Sequence, residues 1–153
     1  MFQSNFKEAV TNEISFERDS PHALWRVLRY IYTGDYSEES SRALDTQGDD
    51  IELLKHPRVF ALADMFCMED LKSICCQKLK SQLQAHWISD TFPECIREVY
   101  LTSNSIDANP MRIAVVDTLV SHKALLKKPS FQELVRDGGD FAADLVLALS
   151  SGR

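Results

Sequence analysis

Four cysteines and four histidines are the side chains of this sequence that could support nucleophilic or metal chemistry. No two cysteines are spaced C-x-x-C, and the adjacent pair Cys75 and Cys76 would point about 100° apart on a helix, which suits a shared zinc site poorly. A Cys–His nucleophilic pair stays open, because such partners meet in space and not in sequence. We therefore expect reduced thiols packed as small hydrophobic side chains, with no metal and no cofactor. The other two cysteines are Cys67 and Cys95, and the four histidines are His22, His56, His86 and His122.

Phosphate-binding and acid–base motifs are the other signals that would predict an enzyme. The sequence contains neither a G-x-x-x-x-G-K-[ST] nor a G-x-G-x-x-G run. Its carboxylate pairs fall in polar stretches, and no pattern marks a carboxyl group whose pKa is raised by burial. The sequence therefore predicts no enzymatic activity.

Length and charge restrict the class of partner. The 153 residues are enough for one ordinary domain with its own core. A net charge of −6 has the wrong sign for a protein that neutralises nucleic-acid phosphates. The first eight residues lack the pattern of a secretory signal, and no apolar run approaches the ~20 residues that span a bilayer. We expect a protein of the cytoplasm or nucleus, with no nucleic-acid or membrane partner.

The elements that would position these side chains are mostly helices. In the N-terminal part, Phe2, Phe6 and Val10 recur at helical spacing, and alternation over residues 13–18 predicts one short strand. Ser20-Pro21 then begins a helix that runs to about Tyr32, and Gly34 ends it. Within and after this helix we predict six core residues: Trp25, Leu28, Ile31, Leu62, Phe66 and Leu71.

The rest of the chain is predicted to be one polar loop followed by consecutive helices. Residues 37–50 favour a solvated, flexible loop, with an acidic docking patch as the alternative. Short loops between the helices indicate a helical array. The expected fold class is mainly α, an α+β remnant with one residual strand. The predicted helix starts are Pro57, Met68-Glu69-Asp70, Asp90 or Thr91, Asn109-Pro110, Pro129 and Asp140.

A family resemblance appears at the end of the first predicted helix. The run from Tyr30 to Tyr36 resembles the Y-φ-Y-T-G-x-Y run of the BTB/POZ domain, and its motif positions are Tyr30, Tyr32, Thr33, Gly34 and Tyr36. The flanking runs also resemble that domain, upstream at Ile14-Ser15-Phe16 and Asp19-Ser20-Pro21, downstream from His56-Pro57 to Leu71. The final helix is similar to C-terminal extensions of BTB proteins in filamentous fungi. We therefore expect a partial BTB/POZ domain over residues 1–86 and a helical extension over residues 87–153, packed as one unit.

The resemblance implies protein–protein interaction, commonly homodimerisation and recruitment of a cullin scaffold in a ubiquitin ligase. Phe6-Lys7-Glu8 matches the family's φ-x-E triplet, which inserts into the cullin face. The hydrophobic side chain would fill a pocket and the glutamate would accept a hydrogen bond. The alternative for Phe6 is ordinary core packing with Phe2 and Val10.

Compared with the family pattern, we expect the N-terminal strands and the first helix of the domain to be missing from this sequence. The family's dimer interface depends on that part, so the resemblance implies a weakened homodimer, with a cullin or another BTB protein as partner. Two alternatives remain at this point: a transcriptional or chromatin scaffold, and a truncated fragment without binding activity of its own.

Overall fold

The computed structural model of the protein describes residues 20–44, 50–103 and 109–152. Helix accounts for 76% of these residues, and no strand occurs among them, which confirms the mainly α fold class. The strand predicted over residues 13–18 lies outside the described residues.

Seven α-helices form this part of the chain. Two short 3-10 helices, Glu52–Leu54 and Lys123–Lys127, lie between the first and second and between the fifth and sixth of them. No helix within the described ranges is long and apolar enough to cross a membrane. The helices are α1 (Pro21–Thr33), α2 (Lys55–Met65), α3 (Glu69–His86), α4 (Phe92–Thr102), α5 (Pro110–Ser121), α6 (Pro129–Arg136) and α7 (Gly139–Ser150).

Local signals set most of the helix ends, as the sequence predicts. A proline stands in the first turn of α1, α4, α5 and α6, where its missing N–H costs no helical hydrogen bond. At the start of α5, the Asn109 side chain accepts a hydrogen bond from the Met111 N–H at 2.9 Å. Gly34 ends α1 at a φ of 81°, a left-handed conformation that glycine adopts without steric strain.

Helices α2 and α3 form the centre of the fold. Helix α2 packs against α1, α3 and α4, while α3 also packs against α5, which in turn contacts α7. Cys67 lies in the turn between α2 and α3 at a φ of 55°. The α3 face that points inward is fully buried at Leu71, Cys75, Leu79 and Leu83.

Two side-chain contacts connect α3 and the residue that follows it to the C-terminal helices. The Sγ of Cys76 on α3 lies 3.5 Å from the Sδ of Met111 on α5. The Trp87 and His122 rings stack with centroids 3.8 Å apart and planes 6° apart. Helix α3 is therefore in contact with the C-terminal helices along its length and at its end.

Candidate interaction surface

Helix α1 carries two faces with different surroundings. Ala23 and Val27 lie on the buried face, which packs against α2. Leu28, Ile31 and Tyr32 lie on the opposite side and are 46%, 58% and 86% exposed. We call these three residues the α1 stripe. An exposed apolar stripe of three large side chains on one helix face is a candidate interaction surface.

Two residues of the α1 stripe, Leu28 and Ile31, belong to the predicted core, and that prediction is wrong for both. Leu28 and Ile31 were expected inside, but α1 turns the face of Ala23 and Val27 toward α2 instead. Both faces have helical apolar spacing, so periodicity alone does not decide which one is buried.

Of the other four predicted core residues, two are buried, one is partly buried and one is exposed. Phe66 is 42% exposed because α2 ends at Met65 and Phe66 already lies in the turn. Trp25 is partly buried, with the Arg29 guanidinium 5.4 Å from its ring centroid. Leu62 and Leu71 are buried as predicted.

The residues of the Tyr30–Tyr36 run have distinct structural roles. The Gly34 N–H donates to the Tyr30 carbonyl at 2.7 Å and closes the helix. The Thr33 hydroxyl donates to the carbonyl of Arg29, one turn earlier, at 2.7 Å. Tyr32 is exposed, whereas Tyr36 is buried against α2 and α3. The run thus ends the helix and anchors the segment that follows it.

The segment after the helix, residues 36–44, has no regular helix or strand, and we call it the strap. Its main-chain carbonyls are held by the Arg26 side chain of α1. The Arg26 Nε donates to the Ser37 carbonyl at 2.9 Å, and Nη2 donates to those of Glu38 and Glu39 at 3.1 Å each. These three hydrogen bonds from one buried side chain hold the strap against α1.

Arg26 also forms an ion pair with Asp50 at the far end of the loop. Nη1 and Nη2 each donate to one carboxylate oxygen at 2.7 Å, and the two side chains are 1% and 5% exposed. Ser40 donates to the same carboxylate, and the Lys55 Nζ lies 3.7 Å from it. Burial alone would raise the pKa of Asp50, but hydrogen bonds from Arg26 and Ser40 outweigh it and lower the pKa to about 2.

Two buried histidines complete the attachment of the strap. His22 lies on α1, where its Nε2 is 3.1 Å from the Ser41 nitrogen. His56 lies on α2, where its Nδ1 is 2.8 Å from the Tyr36 hydroxyl and its Nε2 is 2.9 Å from a Glu38 carboxylate oxygen. Burial lowers the pKa of His56, partly offset by Glu38.

The acidic stretch is therefore different from the predicted solvated loop. Asp50 is almost completely buried, and Glu38 is bound to His56. Glu52, in the following 3-10 helix, pairs with His86 at 3.2 Å. The prediction of a solvated loop is wrong for Asp50, because its charge is neutralised inside the protein by Arg26.

The functional residues proposed from the φ-x-E pattern, Phe6, Lys7 and Glu8, lie outside the described residues. Sequence reasoning missed Arg26 and His56, which hold the strap. One signal was available for Arg26: it shares a helix face with Ala23 and Val27, a position where a solvated arginine would be out of place.

The buried cysteine thiols do not have the lowered pKa that a cysteine nucleophile needs. Burial raises the pKa of Cys75 and of Cys95 to about 12, so both remain thiols at neutral pH. Cys75, Cys76 and Cys95 are free and buried, and Cys67 is free and exposed. Among the described residues, no three His, Cys, Asp or Glu side chains are grouped so that they could hold a metal ion.

Comparison with protein-family models identifies the family of this chain. The family model of the BTB/POZ domain matches residues 1–83, more than half of the chain. The chain belongs to the BTB/POZ family. BTB/POZ domains are protein–protein interaction modules that also mediate dimerisation, so this chain is a protein–protein interaction module. Comparison with curated proteins and with solved structures found no match.

The BTB/POZ match ends inside helix α3, which continues to His86. The C-terminal helices beyond it are tied together by Arg112 on α5. Its Nε donates to the Ser103 hydroxyl at 2.7 Å, and its Nη1 donates to Asp140 at 3.1 Å. The guanidinium also lies 4.4 Å from the centroid of the Tyr100 ring. This arginine joins α4, α5 and α7 outside the BTB/POZ segment.

Proposed function

We propose that this BTB/POZ chain is a substrate adaptor that recruits a cullin-based ubiquitin ligase, with Phe6, Lys7 and Glu8 at the cullin contact. The observation that carries the proposal is the BTB/POZ match over residues 1–83, a range that includes this triplet. An adaptor needs binding surfaces and no chemistry of its own. The buried, protonated thiols of Cys75 and Cys95 are consistent with such a role.

The triplet has the composition of an interface hot spot. An exposed aromatic side chain gains most of its binding energy when it enters a pocket of the partner, and a neighbouring carboxylate adds a directional hydrogen bond. Phe6 is the proposed anchor and Glu8 the proposed acceptor. The proposed compartment is the cytoplasm or the nucleus.

We also propose that residues 1–86 form a partial BTB/POZ domain on which residues 87–153 pack as one structural unit. The packing of α3 against α5, with Cys76 in contact with Met111, supports this arrangement, because it joins the first segment to the second. Homodimerisation is expected to be weak, and a second BTB protein is the alternative partner to a cullin.

The direct test is binding of the purified chain to the N-terminal domain of a cullin, measured by calorimetry. We expect Phe6→Ala with Glu8→Ala to weaken binding at least about 100-fold, since hot-spot residues each contribute ~2 kcal/mol or more. A matched control is Ile88→Ala with Glu94→Ala, an exposed apolar residue and a nearby acidic residue outside the family segment.

The control pair is expected to bind as the unchanged protein does. Circular dichroism must show the same helix content in all three proteins, so that a loss of binding is not a loss of fold. Equal cullin binding by the double variant and the unchanged chain would refute the triplet contact. No cullin binding by the unchanged chain would refute the adaptor function itself.

A further inference from the structure

The outer side of helix α1 is apolar and exposed. Its centre is the α1 stripe, whose three side chains are 46%, 58% and 86% exposed at Leu28, Ile31 and Tyr32. The partly buried Leu24 and Trp25 precede the stripe on the same side of the helix. A surface helix is normally apolar on its core side and polar on the other, so a second apolar face on α1 suggests a further contact.

The spacing along this side is that of a helix–helix contact. Leu24, Leu28 and Ile31 follow one another at intervals of four and three residues, which is the spacing of the apolar seam between two packed helices. Trp25 and Tyr32 stand seven residues apart at one edge of the seam. The occupant that this pattern fits is another helix with apolar residues at the same intervals.

A second α1 helix has that pattern when it runs antiparallel, with Leu28 at a two-fold axis. Ile31 then lies level with the second copy's Trp25, since both are three residues from Leu28. Tyr32 lies level with the second copy's Leu24, since both are four residues away. The most exposed side chains of one helix thus face the partly buried ones of the other, and the same patch meets itself, as in other two-fold dimers.

The charges near α1 favour the antiparallel direction. Helix α1 contains no Asp or Glu, so the acidic side chains of the chain are not concentrated on this face. Asp35, just beyond its C-terminal end, is 67% exposed. Antiparallel packing brings Asp35 toward the second copy's Pro21, at the positive end of the helix dipole, whereas parallel packing would bring two Asp35 carboxylates together. Arg29 lies beside the seam, where its long side chain keeps the guanidinium in water.

The exposed area is sufficient for a weak dimer. The α1 stripe leaves roughly 400 Å² of side-chain surface exposed in each copy, so two facing stripes bury about 800 Å². The exposed parts of Leu24 and Trp25 bring the total to about 1,000 Å², which is the lower limit for a specific interface. We therefore expect a reversible dimer with a Kd on the order of 10 µM.

We propose that two copies of this chain associate through the α1 stripe, antiparallel, with Leu28 at the two-fold axis. The interface leaves the strap accessible, because Arg26 and His22 hold the strap on the opposite side of α1. It uses none of residues 1–19. It also goes beyond the cullin contact proposed above and does not require it.

Sedimentation velocity of the purified chain, from about 1 µM to about 500 µM and without a cullin, tests the association. We expect the sedimentation coefficient to rise with concentration from the monomer value toward the dimer value. Leu28→Asp places two carboxylates next to each other at the axis and should weaken the association about 100-fold. Leu147→Asp is the matched control, because Leu147 is 66% exposed on α7, and it should associate as the unchanged chain does.

Two results of this experiment would overturn the proposal. A monomer at every concentration would mean that no second copy binds the stripe, whether residues 1–19 or another protein covers it. A dimer that persists in Leu28→Asp, with the helix content unchanged by circular dichroism, would place the interface on another surface.

Disulfide cross-linking covers the case in which Leu28→Asp fails to fold. Cys67→Ser first removes the exposed thiol. Leu28→Cys in that background should then form an intermolecular disulfide, because two Cα atoms at the axis lie within about 7 Å of each other. Tyr32→Cys is the control: it is the more exposed position, but the two copies of residue 32 lie about 12 Å apart along antiparallel helices. Equal cross-linking at both positions, or none at residue 28, would refute the antiparallel interface.

Discussion

Arg26→Met is the substitution that tests the polar attachment of the strap most severely. Methionine keeps much of the side-chain volume but removes the guanidinium that donates to Asp50 and to the carbonyls of Ser37, Glu38 and Glu39. Breaking a buried ion pair by removing one partner costs about 3–5 kcal/mol. The buried Asp50 charge then keeps only the Ser40 hydroxyl and the Lys55 Nζ, 3.7 Å away, as partners. The carbonyls can regain water, as both glutamates are exposed, so we expect a total loss of about 4 kcal/mol.

A loss of this size is a large share of the about 5–15 kcal/mol that stabilises a typical domain, and urea unfolding followed by circular dichroism will measure it. Arg97→Met is the matched control, because Arg97 pairs with Glu133 and Asp137 while it is 45% exposed, and exposed pairs contribute about 0–1 kcal/mol. A third variant, Arg26→Met with Asp50→Asn, also removes the carboxylate charge that has lost its guanidinium and should be no less stable than Arg26→Met alone.

The acid dependence gives an independent check. Asp50 has a pKa of about 2 in the folded protein, against about 3.9 for an unpaired aspartate. A lowered carboxyl pKa stabilises the fold above the unfolded value, and that contribution is lost as the pH falls from about 4 to about 2. Arg26→Met should lack this part of the acid sensitivity. A loss below about 1 kcal/mol at pH 7, or an unchanged acid transition, would refute the role assigned to Arg26.

Three further changes test the packing of the helices by thermal and urea unfolding. Gln82→Met should stabilise the protein by about 1 kcal/mol, because the buried Gln82 Oε1 has no hydrogen-bond partner among the residues that the structure describes; a loss of stability would reveal a hidden partner. Leu79→Ala should cost about 3 kcal/mol, as this side chain is fully buried on α3, and a cost under 1 kcal/mol would contradict that burial. Trp25→Ala should cost about 2 kcal/mol, less than a core tryptophan, because the ring is only partly buried; 4 kcal/mol or more would place it in the core.

Helix positions could be predicted from the sequence because their signals are local. Pro21 and Gly34 bound α1, and Asn109 begins α5, through backbone preferences that hold within one turn. The apolar spacing of Leu71, Leu79 and their neighbours likewise predicts a buried face of α3, which the structure confirms.

The buried face of α1 could not be predicted in this way. It contains Arg26 and His22, two polar residues that a hydrophobicity pattern assigns to solvent. Their partners Ser41 and Asp50 lie 19 and 24 residues further along the chain, in a loop with no periodicity. A buried polar network depends on such distant pairings, so the sequence can place Arg26 on the helix face of Ala23 and Val27 but cannot give its partners.

The stacked pair of Trp87 and His122 has a consequence for spectroscopy. The chain has two tryptophans: Trp25 lies within the BTB/POZ segment, and Trp87 lies beyond it, between the end of α3 and the end of α5. Fluorescence from the two indoles thus reports separately on the family domain and on its junction with the C-terminal helices. The emission of each tryptophan can be followed during unfolding in a variant that keeps only that tryptophan. If both emissions change at the same denaturant concentration, the chain unfolds as one cooperative unit. If they change at different concentrations, it unfolds as two.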